Sequence, residues 1–204
     1  MSNSDAVLQF SPGVSFVPEN DTVFRLAQLL LLLDTLRRES QPRAALERLA
    51  YYDFFSANPY LVINREDDDH RQLVMAGFDD RSLSYASSGQ RFTSRRERLQ
   101  HDLALLVAYE LANAVVEGGA VTYGVTDRGT ALAAQFTALY ARSYVLSASL
   151  VVRRLRKLSD SKLRESARSW LRPEHAALPD AVLDLFDAPE EAEALSTDPG
   201  RSLQ

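Results

Sequence analysis

The chain has no cysteine, which excludes disulfides, thiolate-held metals and cysteine nucleophiles together. The short signatures of common chemistries are missing as well. No P-loop, G-x-G-x-x-G fingerprint, H-E-x-x-H or G-x-S-x-G elbow occurs, so phosphate-cradling, dinucleotide, zinc-peptidase and serine-hydrolase mechanisms have no local support. Long apolar runs are also lacking. The densest, Leu29 to Leu33, is bounded by Arg25 and Asp34 and is far too short to span a bilayer. The opening MSNSDAVLQFSPG has neither the basic start nor the apolar centre of a secretory signal. These absences predict a cytoplasmic chain with no membrane segment, catalytic residue, metal or cofactor, and no small-molecule substrate. No internal repeat is visible.

What is present describes an ordinary folded protein. With 204 residues, 46% hydrophobic and 25% charged, the chain has the length for one good-sized core or two small ones. A net charge of −5 argues against a uniformly basic nucleic-acid binder, although the distribution of charge matters more than its sum.

The stretch from Leu103 to Ala134 organises the rest. Leu103, Leu106, Val107, Leu111 and Val115 recur at helical spacing, which predicts a third helix running from about Arg95 to Glu117. Thr93 or Ser94 would cap it, Glu97 following Ser94 at the capping-box spacing. Gly118-Gly119 would end it, because glycine takes positive φ without steric cost. Residues 120–125 have strand composition, and Thr126 caps a further helix entered at Arg128. Helix, glycine turn, short strand and capped helix together outline a winged helix.

Around this core, residues 1–20 read as an arm carrying Val14, Phe16 and Val17. Asp21 or Thr22 opens a helix through Leu36 whose leucines encircle the axis, marking it as a central core helix. Pro42 suits the first position of the next helix, RAALERLAYYDFF, which stops before Asn58-Pro59. A short strand is predicted at Tyr60–Ile63. An inserted segment covers about 61–93. Residues 131–158 predict one long helix or two abutting ones, and Ser159 or Asp160 caps the last, with Leu163, Ala167 and Trp170 on one face. The expected fold class is therefore mainly α: a winged-helix domain over 21–141, basic C-terminal helices over 142–174, and an acidic tail over 175–204 containing a short docking helix near 181–186.

The segments LLLLDTL, RLAYYDFFSANPYLV, AGFDDRSLSYASSGQRFTSRRERLQHDLALLVAYELA and VVRRLRKLSDSKLRESARSWL resemble the middle components of bacterial ABC-three-component systems, which are related to Lamassu defence operons. The resemblance spans roughly residues 22–172. It implies a small winged-helix subunit that is itself non-catalytic, encoded beside an SMC-like or Rad50-like ATPase and an effector such as a nuclease.

Several residues stand out as contacts for such partners. Most of the aromatic cluster around Tyr51 and Phe54 is expected in the core, with at least one of Tyr51 and Phe54, together with Tyr85, Arg91 and Phe92 of the SYASSGQRF segment, at a protein interface, where aromatic and arginine side chains are favoured anchors. Arg95, Arg96 and Arg98 on the third helix and Arg128 after the wing are candidate contacts to DNA or another anion. So are Arg153, Arg154, Arg156 and Lys157, at the head of a run in which eight cations face only Asp160 and Glu165. The alternative for every such charge is a solvated surface. The acidic tail is the natural competitor for the basic run. Residues 65–70, REDDDH, bring carboxylates beside an imidazole, but neighbours on one loop seldom converge on an ion, and His101 and His175 have no companion set. The resemblance thus implies an adaptor linking an ATPase to an effector, and the arginine clusters add double-stranded DNA as a candidate further partner; a stand-alone winged-helix transcription regulator is the alternative.

Overall fold

The computed structural model describes residues 21–79 and 87–172. The N-terminal arm, Tyr85, His175 and the acidic tail with its expected docking helix lie outside the described residues. Within them the chain is mostly helical, with one small sheet of three strands.

Helix α1, Thr22–Arg38, starts where Asp21 accepts the backbone N–H of Phe24 at 2.9 Å, a cap of the kind that contributes about 1 kcal/mol. Every residue from Gln28 to Leu36 is buried. This explains why its leucines form no single stripe: α2 (Leu46–Ala57), α4 (Ser88–Ala108) and α6 (Leu139–Leu155) pack around it. Leu32, Leu33, Leu49, Tyr52, Phe55, Ala148 and Val151 are fully buried in the resulting core, and each large side chain there contributes roughly 1.5–3 kcal/mol.

Four expectations are corrected at the boundaries. Pro42 does not open α2, because Ala44–Ala45 form strand β1, paired antiparallel with Tyr123 and Thr122, so sheet pairing overrides alanine's helix preference. Residues 59–61 make a 3-10 turn instead of the start of a strand, with the Ile63 N–H donating to the Pro59 carbonyl; α3 (Asp68–Met75) follows. Helix α4 is capped by Ser87 and not by Ser94, the Ser87 hydroxyl accepting from Gln90 N–H at 3.3 Å.

The fourth correction matters most. Helix α4 ends at Ala108, and residues 112–117, expected as its continuation, form strand β2 (Ala112–Glu117). The stop is made by Glu110 at φ 60, with Leu111 N–H donating to Leu106 O and Glu110 N–H to Val107 O, both at 2.9 Å. This is a Schellman closure built without glycine, so the usual signal is missing. Gly118 and Gly119, at φ 58 and 82, instead make the two-residue turn that joins β2 to β3 (Ala120–Val125), as positive φ at both turn positions requires. The sheet order is β1-β3-β2, which leaves β2 at the edge. Thr126 then caps α5 (Asp127–Ala133), and the alanine-rich stretch after it divides, α6 beginning at Leu139. Helix α7 (Asp160–Trp170) is capped by Ser159.

Candidate interaction surfaces

The arginines at the head of α4 are used unequally. Arg95 lies between helices, donating to both Asp53 oxygens at 2.5 and 2.9 Å and to Gln28 at 2.8 Å, and the Arg95 and Asp53 side chains are only 12% and 7% exposed. It joins α4 to α2 and α1, so the candidate anion contact is consumed inside the chain. Arg25 and Asp102 form a second such pair, at 2.8 and 3.0 Å; the hydrogen bond to Asp102 is the main influence holding the Arg25 guanidinium above its ordinary pKa. Arg91 donates to Asn58 at 2.5 Å and sits 6.0 Å from the Phe54 ring. Arg98 bonds the Ser94 carbonyl at 3.2 Å. Arg96 is exposed.

The aromatic candidates turn inward. Tyr51 stacks on Phe92 with centroids 5.3 Å apart, and Phe54 meets the same ring edge-on at 5.4 Å. Phe55 contacts Trp170 of α7 edge-on at 5.4 Å. Tyr51 and Phe54 are 8% and 1% exposed, so they knit α2 to α4, and their expected role at a partner surface is corrected to one in the core. Helical spacing misled because α2 is buried continuously from Leu49 to Ser56, leaving no outward face there.

The basic run is answered in part by acids far away in sequence. Arg153 pairs with Glu39 at 3.3 Å, Arg154 with Asp67 at 2.8 Å and Arg164 with Glu47 at 2.9 Å. Arg156 donates to the Glu39 carbonyl at 2.5 Å, and Arg128 pairs with Glu110 at 2.8 Å. Lys157 is exposed. The 65–70 loop supplies one of these acids: Asp67 also accepts the Asn64 N–H at 3.0 Å, and His70 packs against the Tyr60 ring at 4.9 Å. Among the described residues no three His, Asp or Glu side chains stand where they would hold a metal ion.

The β2–β3 hairpin presents the opposite surface. Val116 pairs across the strands with Val121, and the two are 70% and 46% exposed; Val115 is 44% and Tyr109, at the end of α4, 57% exposed. From Tyr109 to Val125 there is no lysine or arginine. Arg43 reaches over the sheet, donating to Asn113 at 2.8 Å and to Thr122 at 3.1 Å, and stiffens the base of the hairpin. The exposed residues of the second half of α4 are Gln100, His101, Ala104 and Ala108, two polar and two apolar.

In class this is a mainly helical chain with a three-stranded sheet and an exposed apolar hairpin. Residues 76–173, from the turn after α3 through α7, match the family model of the ABC-three component (ABC-3C) system Middle Component 2. The match bears out the resemblance to the ABC-three-component middle components; α1 and α2 fall outside it. A middle component works with the other subunits of its system. No curated protein and no solved structure matches the chain. No helix among the described residues is long and apolar enough to cross a membrane.

Proposed function

We propose that this chain is a non-catalytic winged-helix adaptor in a Lamassu-related anti-phage defence complex, bridging an SMC-like or Rad50-like ATPase to an effector such as a nuclease. The winged-helix reading is supported by the run α1, β1, α2, α4, β2, β3 and by the sheet order β1-β3-β2, in which the β2–β3 hairpin is the wing. The observation that carries the adaptor reading is the character of that hairpin. A wing serving chiefly to grip a duplex needs cations facing phosphates, whereas this one exposes Val115, Val116 and Val121 with no lysine or arginine between residues 109 and 125. Valines projecting into water on an edge strand are suited to burial against another protein.

The regulator alternative is disfavoured by α4. Reading base edges requires polar side chains that enter a groove, and of the exposed Gln100, His101, Ala104 and Ala108 only the first two carry one. Pull-down of the tagged chain, expressed with its native neighbouring genes, tests the reading. The expected result is stoichiometric recovery of an ATPase. A chain that emerges alone, or that hydrolyses nucleotide or cleaves DNA unaided, overturns it.

A further inference from the structure

Three arginines from two helices gather where α2, α4 and α7 meet. Arg96 stands one helical turn beyond Phe92, whose ring stacks on Tyr51 of α2. Arg164 and Arg168 are one turn apart on α7, about 6 Å along its axis, and α7 is held against α2 by the Phe55–Trp170 contact and by the Arg164–Glu47 pair. Tyr51 registers all three. Burial raises the pKa of its phenol, Glu47 adds to that, and Arg164, Arg96 and Arg168 each pull it back. The Glu47 carboxylate is lowered first by its hydrogen bond from Arg164 and also by the charge of Arg96. Three guanidiniums and the Glu47 carboxylate therefore act together on Tyr51, with Asp160 also acting on Arg164, a locally basic spot in a chain of net charge −5. Glu97 and Glu165, the next residues along each helix, form no ion pair with them among the described residues.

This arrangement differs from the other basic positions. Arg95, Arg128, Arg153 and Arg154 each hold a carboxylate, and Arg164 holds Glu47, while the flanking Arg96 and Arg168 are exposed and bond no acid among the described residues. A guanidinium fork suits two phosphate oxygens at once, and a cluster spread over two helices fits a polyanion better than a single ion. We infer that Arg96, Arg164 and Arg168 form a sequence-independent contact for the phosphate backbone of double-stranded DNA, on a surface separate from the apolar hairpin. The inference goes beyond the adaptor reading and does not rest on the docking of an ATPase.

Fluorescence anisotropy of the full chain with a labelled duplex of about 30 base pairs, titrated at increasing salt, tests it. Three phosphate contacts give a slope of about −2.7 in log K against log salt. Arg96→Gln with Arg168→Gln is expected to reduce that slope by about 1.8 and to weaken low-salt affinity at least tenfold. The paired lysine replacements, which keep the charge, are expected to retain most of the slope, and Arg128→Gln to leave it unchanged. Circular dichroism checks that each variant is folded. Absence of salt-sensitive binding by the parent chain overturns the inference, as does an equal loss from Arg128→Gln. Polyglutamate competing as strongly as duplex overturns it in favour of an acidic protein partner. Each of these failures leaves ATPase recovery unaffected, so the adaptor reading stands or falls separately.

Discussion

The arginine-rich head of α4 and the valine-rich hairpin that follows it look, by composition, like a surface and a core. The structure reverses much of this. Arg95 is buried against Asp53 while Val116 is 70% exposed. A charge whose partner lies on another helix becomes part of the interior, and an apolar pair on a ribbon that outruns the core is left in water. Position relative to the three-dimensional packing, and not residue type, decides which of them is available to a partner.

The contrast is broken most forcefully at Asp53. Asp53→Ala leaves the Arg95 guanidinium buried without its carboxylate, and the expected loss is about 3–5 kcal/mol, read as a lower urea midpoint. Its neighbour provides the control, since Arg96→Gln at an exposed site is expected to change stability by less than about 0.5 kcal/mol. Equal effects at the two positions would contradict the division of labour along α4.

A smaller effect is expected at the root of the hairpin. A Cβ on Gly129 would fall 2.1 Å from the Leu111 carbonyl oxygen, a backbone atom fixed by the Thr126 N–H bond at 3.1 Å. Gly129→Ala is therefore expected to cost on the order of 1–3 kcal/mol, measured as a depressed melting temperature. Smallest is the effect of acid at Glu47. Arg164 lowers its pKa in the folded chain, so its contribution to stability is present above the unfolded carboxylate pKa and is lost as pH falls through the folded value. Glu47→Gln should leave a shallower decline in stability below about pH 4 and only a slight loss at neutral pH, the pair being exposed.

Local signals made the helical frame readable. Asp21, Thr126 and Ser159 were legible as caps because a short oxygen-bearing side chain before a helical pattern has a specific backbone job, and Asn58-Pro59 marked the end of α2. The end of α4 was not legible, since Glu110 takes positive φ without the glycine that usually announces it. Strand β1 was hidden for a different reason: two alanines become a strand only because β3 lies beside them. The candidate contacts suffered most. Nothing local to Arg95, Arg153 or Arg154 reveals that Asp53, Glu39 and Asp67 will meet them, and nothing local to Arg96 and Arg168 reveals that α4 and α7 bring them around Tyr51. Sequence separates charged from apolar residues; long-range packing pairs them.

The central claim is that the hairpin valines dock another subunit. Native mass spectrometry of the co-expressed chain and ATPase, with Val116→Asp and Val121→Asp introduced together, tests it most directly. The account predicts a complex for the parent chain, and a free variant that is still folded by circular dichroism, its melting temperature lowered only slightly by the like charges facing each other across the strands. A variant that keeps the complex at parental occupancy would contradict it.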